Sequence, residues 1–370
     1  MTRAASGVVG WLGAALAAVV WFVVPLPAWI VEAAYSRRVF RWWQTGVTAI
    51  TNLAPFAWID LLIVAVVVLV VWRAVQLVRV ARDTTVAGAA WEGLRRVIRG
   101  VAVLAIVFLL MWGFNYRRIP LDETIPPATP SVEHLRAAVA DAGIVGARVR
   151  PAQTSADSSF ERLTRELRGP LDQALAALGR PGLGTAGRPK YSIILTPFFT
   201  WAGVDGMVNP FALETIVHPD LLPFERPIAL AHEWAHLAGT ADEAEASAVG
   251  WLACMKGPPD LVYSASVYLI VEGANALPRH VWREAAVQLD PGIRADINAM
   301  AQRQARQRPV VRETAFRAYD QYLRANRVDD GVASYSRALS LILSPALREA
   351  LSGHRADRDR RSSPASARAY

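Results

Sequence analysis

Three long apolar runs occupy the first third of the chain, and a mixed pattern of helical period fills the rest. Val8 to Val31 is almost wholly apolar until Glu32, with Pro25 and Pro27 late in it. Phe56 to Val78 is the second run and Val97 to Phe114 the third. About 20 apolar residues cross a bilayer as a helix, so each run predicts a span. For the first run a cleaved signal peptide is the rival, with Arg3 as its basic start and Ala33 and Ala34 as small residues. The run is longer than the roughly 7–15 residues of a signal core, which favours an uncleaved anchor. Between the first two runs, Tyr35 to Pro55 carries Arg37, Arg38, Arg41, Trp42 and Trp43. Arginine beside tryptophan predicts a helix lying at headgroup level. Asp60 falls in the first turn of the second run, where a helix-start role competes with that of an intramembrane carboxylate.

After Arg118 the pattern changes. Ile119 to Pro130 is a proline-rich linker, and Ser131 to Ala142 and Ser158 to Leu178 read as helices. A Gly/Pro loop, Gly179 to Lys190, leads to two strands expected at Tyr191 to Thr196 and Phe211 to Val217. Between them, Phe198 to Asn209 reads as a turn or loop around Gly203 and Gly206. Helices then follow at Pro227–Ala238, from near Asp242, and at Tyr263–Ala276, Val281–Leu289, Ile293–Ala305, Arg312–Ala325 and Ala333–Leu343. Ser352 to Tyr370, rich in Arg, Ser and Ala, reads as a disordered basic tail. The expected fold is mainly α with a small β element, an α+β class. The expected organisation is a membrane anchor at 1–118, a second domain at 119–350 and the tail at 351–370.

Composition supports a membrane rather than a larger core. The hydrophobic share is 53% over 370 residues, concentrated at the N-terminal end. The net charge of +8 raises nucleic acid as a partner, but many arginines flank the apolar runs or lie in the tail, so membrane topology accounts for them and no nucleic acid is expected. Arg3 and the loop arginines at 73, 79, 82, 95, 96 and 99 make seven on one side, against five (37, 38, 41, 117 and 118) on the other. This predicts a multi-pass cell-membrane protein with the C-terminal domain extracytoplasmic. The single cysteine, Cys254, excludes an intrachain disulfide and a cysteine-based metal cluster.

The chemistry-bearing stretch is His232-Glu233-Trp234-Ala235-His236. Residues four apart share one helix face, so both imidazoles can address one ion, for which Zn²⁺ is the expected metal. Glu233 beside the first histidine places a carboxylate to take a proton from an activated water. Pro227 suits the first turn of that helix and Gly239 suits a left-handed cap after it. The plain alternative is a core helix with two satisfied histidines. A third ligand is expected on the next helix, where Glu243 and Glu245 face different ways. The Glu243 face continues with Ala246, Ser247, Gly250 and Cys254, all small enough for close helix approach; Glu243 is therefore chosen, with Glu245 as the alternative. Thr240 or Asp242 caps that helix. His218, Tyr319 and Tyr335 are candidates to stabilise developing negative charge, against plainer readings as a turn histidine and core tyrosines.

The chain resembles an uncharacterised bacterial family, a domain of unknown function, whose members look like three N-terminal spans followed by an H-E-x-x-H domain. The resemblance runs from about Trp29 to Leu343 and rests on Tyr35–Ser36, Gly203 to Asn209, His232 to Cys254, Tyr263–Ser264, Tyr319 to Leu323, Asn326 and Gly331 to Tyr335. Glu243-Ala-Glu-Ala246 also looks like the third-ligand segment of gluzincin-type peptidases, in which the first glutamate binds zinc. Ser247 stands where those families carry Asn or Asp, which implies an altered hydrogen bond to a ligand. Trp234 stands where a smaller residue is usual, which implies a narrower site. Together these imply a membrane-bound zinc metallopeptidase acting on a peptide or protein, with a catalytically inactive, zinc-stabilised sensor or scaffold as the alternative.

Overall fold

The computed structural model describes residues 26–83, 86–150, 159–326, 328 and 337–352. Most of the first expected span, the tail after Ser352 and Tyr335 lie outside the described residues. The chain opens with α1 (Ala28–Ile30), a π-helix (Val31–Val39) and α2 (Phe40–Asn52) in continuous succession. Two long helices follow, α3 (Trp58–Asp83) and α4 (Val86–Met111), then a 3₁₀ turn (Gly113–Arg117) and the short α5 (Leu121–Thr124). Next come α6 (Val132–Val149), α7 (Phe160–Ala177), β1 (Pro189–Lys190), α8 (Thr196–Ala202), β2 (Gly206–Asn209) and β3 (Glu214–Val217). The rest is helical: α9 (Arg226–Leu237), α10 (Glu243–Met255), α11 (Pro259–Ala276), α12 (Arg279–Gln288), α13 (Pro291–Gln304), α14 (Pro309–Ala325) and α15 (Arg337–Ile342). The protein is thus mostly helical with one small sheet, as the α+β expectation has it.

Helix starts follow local chemistry. Ser131, Ser159 and Asp242 each accept the amide three residues on, and Asp290 accepts those of Gly292 and Ile293. These side chains satisfy donors that have no partner within the helix. Every residue of α10 from Glu243 to Cys254 is buried, because α7, α9, α11 and α15 surround it. The hydrophobic core extends beyond the C-terminal helices and takes in Phe40 of α2 and Trp112 at the end of α4.

The sheet has the order β1-β3-β2, with β1 parallel and β2 antiparallel to β3. It differs from the expected strands. Tyr191 to Thr196 is not a strand: the Asp60 carboxylate takes the amides of Ile193 (2.8 Å) and Ile194 (3.3 Å), Ser192 takes those of Leu195 and Thr196, and Pro197 then opens α8. The expected loop at 198–209 instead contains most of α8 and all of β2. The second expected strand shortens to Glu214–Val217, after Leu213 turns the backbone at a positive φ of 44°. Two-residue β1 lies in the Gly/Pro loop, too short to leave a periodic signal.

Among the described residues, Trp58–Arg79 of α3 is the one helix long and apolar enough to cross a membrane unaided, and its apolar window is wholly unburied. The third expected span does not run straight to Phe114. Gly93–Met111 and the segment from Gly113 to Thr124 meet at a 68° bend. A Cβ on Gly113 would sit 2.7 Å from the Phe108 ring, so a larger residue at the turn would have to displace that ring. In α2 the usual amphipathic sense is inverted. After Phe40, the buried residues Gln44, Thr48 and Thr51 face the protein, while Trp42, Ile50 and, just beyond the helix, Leu53 stay exposed.

Candidate metal centre

α9 carries His232 and His236 on one face, one helical turn apart. It ends as the sequence predicts: Gly239 adopts φ +92° and the Thr240 amide bonds back to the Ala235 carbonyl. The chain then reverses, and Asp242 caps α10 by accepting the Glu245 amide at 3.0 Å. α10 lies hard against α9, because a Cβ on Gly250 would come 3.0 Å from the His232 backbone nitrogen. This is the close approach that the small face of α10 predicts.

Glu243 is thereby delivered to both histidines. Its Oε2 lies 3.1 Å from His232 Nε2 and 3.3 Å from His236 Nε2, and the two ring nitrogens are 3.0 Å apart. One ligand atom from each of the three residues lies within 4.8 Å of the others, the grouping a metal ion requires. The other ring nitrogen of His236 has a partner that sets its role. His236 Nδ1 is 2.7 Å from the Thr240 carbonyl, which can only accept, so Nδ1 carries a proton and Nε2 is the atom left to ligate. Ser247 Oγ sits 3.2 Å from His232 Nδ1, so the serine at this place still contacts the first histidine. Glu245, the alternative ligand, points elsewhere: it accepts the Leu121 amide at 2.5 Å and pairs with Arg180 at 3.0 Å.

Burial sets the electrostatics. Desolvation alone would raise the Glu243 carboxyl, but the two imidazoles outweigh it and hold it well below its ordinary value. Burial likewise works against charge on His236, and the Glu243 carboxylate overcomes it and raises the imidazole. Glu233 is buried, and desolvation outweighs the pull of the two imidazoles and pushes its carboxyl up to about 7. Its Oε2 has no hydrogen-bond partner among the described residues. Gly206 of β2 lies over it: a Cβ there would be 2.9 Å from Glu233 Oε1.

A family model described as a protein of unknown function (DUF3810) matches residues 35–343. The chain belongs to the DUF3810 family. No curated protein and no solved structure matches it.

Around the triad, this DUF3810 protein places residues that the sequence pattern did and did not single out. Tyr319 of α14 donates a short hydrogen bond to Glu243 Oε1 and stacks on Tyr322, with ring centroids 5.8 Å apart. His218 does not offer its ring to the triad. Its Nδ1 accepts the Asp220 amide at 3.0 Å and its Nε2–H faces Thr200 Oγ at 2.9 Å, which makes it a neutral turn histidine. Trp234 turns into the core and donates to the Gly187 carbonyl at 2.9 Å, so it does not narrow the site.

Trp112 lies in an apolar run read as a span, yet its indole donates to the His236 carbonyl at 3.1 Å and its ring packs edge-on at 6.3 Å from the imidazole. Its one sequence signal is the Trp-Gly pair at the end of that run. Arg118 is buried and bidentate on Glu32 at 2.8 and 2.9 Å, while its Nη1 caps α9 through the Gly239 carbonyl at 2.9 Å. Arg37 also pairs with Glu32, at 2.9 Å. Two of the arginines counted towards membrane orientation thus serve the fold.

Proposed function

We propose that this protein is a membrane-bound zinc-dependent metallopeptidase with a gluzincin-like site. The observation that carries the reading is a single arrangement: three metal-competent donors converge within 4.8 Å, beside a buried glutamate whose Oε2 has no partner. The donor set fits Zn²⁺, since two imidazoles that turn Nε2 towards one carboxylate make with it three protein ligands and leave a position open, as in catalytic rather than closed structural sites. His232, His236 and Glu243 would hold the ion. Bound there, Zn²⁺ supplies Lewis acidity, which polarises a carbonyl and brings the pKa of water towards ~7.

The chain's own groups supply the rest. Glu233, held near neutrality by burial, can accept a proton at Oε2 and return it to a leaving amine. Gly206 leaves the room that this carboxylate needs. Thr240 and Ser247 orient the imidazoles, and Tyr319 steadies the Glu243 carboxylate from the side opposite the histidines. The same tyrosine is the candidate to stabilise developing negative charge. Membrane attachment through α3, with the site on the extracytoplasmic side, completes the reading.

Two measurements test it. Zinc analysis of purified protein should find metal in the wild type and in Glu245→Ala but not in Glu243→Ala. Comparison of protein termini in cells carrying the wild type or Glu233→Gln should reveal cleavage products that depend on Glu233. Zinc retention with identical termini in both strains would sink the peptidase reading and leave a zinc-stabilised sensor or scaffold.

A further inference from the structure

From Tyr191 to Ala202 the chain has no charged residue: Tyr-Ser-Ile-Ile-Leu-Thr-Pro-Phe-Phe-Thr-Trp-Ala. Ile193 is 85% exposed, and Tyr191, Ile194 and Phe198 are 47%, 41% and 41% exposed. Such a cluster on one loop needs an account, since apolar surface in water is disfavoured by roughly 25 cal/mol per Å² and grouped patches mark contact sites.

The place of the loop supplies that account. Asp60, in the first turn of α3, holds Ser192 and the amides of Ile193 and Ile194. The N-terminal amides of α3, Trp58 and Ile59, are capped by Glu214 of β3 at 2.9 and 2.8 Å. Glu214 in turn pairs with the buried Lys190, whose Nζ also reaches the Thr51 carbonyl at the end of α2. The apolar loop, the start of the candidate membrane helix and the end of α2 are therefore bolted together at one point. Leu53 and Phe56, 83% and 46% exposed, carry the apolar surface between α2 and α3.

We propose that Tyr191–Phe198 is a bilayer-contact surface. Ile193, Ile194 and Phe198 enter the lipid interface beside the first turn of α3 and lay the sheet end of the domain on the membrane. Continuity with the unburied apolar face of α3 selects lipid as the occupant, and the tyrosine and missing charges suit the interface. The consequence reaches the metal centre. Gly206, over Glu233, pairs with Val217, three strand residues from the Glu214 that caps α3. At about 3.3 Å per residue that is about 10 Å along the strand.

The test uses the full chain in phosphatidylcholine nanodiscs. Cys254 is the single cysteine and is buried, so Cys254→Ala gives a clean background for labelling. Ile193→Cys and, on α12, Val287→Cys, 73% exposed in the wild type, would carry an environment-sensitive fluorophore. Nitroxide placed near the headgroup end of the lipid chains should quench the probe at 193 several-fold more than at 287, with a blue shift at 193 alone. Iodide in the water should show the opposite order. Equal lipid quenching at both positions overturns the proposal. So does a probe at 193 shielded from lipid and iodide alike, which would mean that protein covers the loop. The readout is independent of any hydrolysis.

Discussion

Tyr319→Phe isolates one interaction at the metal centre. The phenol donates to Glu243 Oε1, while its ring stacks on Tyr322 with an interplanar angle of 19°. Phenylalanine keeps that stacking and deletes the hydroxyl alone. A hydrogen bond to a charged acceptor contributes about 1.5–3 kcal/mol. Glu243 is buried and shared by two imidazoles, so water replaces the lost donor poorly and that range applies in full. At about 1.4 kcal/mol per decade the expected loss of zinc affinity is about 10- to 100-fold, the usual effect of removing a ligand's outer hydrogen bond. Competition against a chromophoric chelator, in detergent at fixed pH, reads it directly. Zinc affinity within twofold of wild type, in a preparation where Glu243→Gln does lose the metal, would refute the idea that Tyr319 supports the ligand.

Three further outcomes follow from the same geometry. Glu214→Gln should lower Tm by about 6–10 °C, because it leaves Lys190 buried beside a neutral amide; breaking such a pair costs about 3–5 kcal/mol, and about 2 °C accompanies each kcal/mol in a chain of this size. A Tm shift under 2 °C at matched scan rate contradicts it. Zinc affinity should rise with pH, since Glu243 raises the His236 imidazole and the proton it holds must leave before Nε2 can ligate. Proton release on titration with zinc measures this, and none at neutral pH speaks against it. His218 should make stability fall in acid: burial lowers its folded pKa below the ordinary 6.5, so the unfolded chain gains the proton first. The loss begins as pH drops through 6.5 and ends at the folded value. His218→Asn should show a smaller fall in Tm between about pH 7.5 and 5.5, and an unchanged fall removes His218 as its source.

What the sequence alone determined was local. A helix repeats every 3.6 residues, so the histidines at 232 and 236 had to share a face, and the glycine after them marked where the helix would stop. The small face of α10 likewise announced its contact with α9, and that contact chose Glu243 over Glu245. The apolar run now in α3 was legible because a membrane helix needs only length and hydropathy.

Tertiary structure decided the rest, because its causes lie far apart along the chain. Asp60 captured amides 133 residues away and turned an expected strand into a loop. Glu32 drew Arg118 inward from a position that composition alone assigned to topology. Trp112 left an apolar run to support His236, and Tyr319 crossed 76 residues to reach Glu243. Periodicity reports which face of an element is apolar; which partner meets that face is settled only when distant buried polar groups find one another, and no local pattern records that pairing.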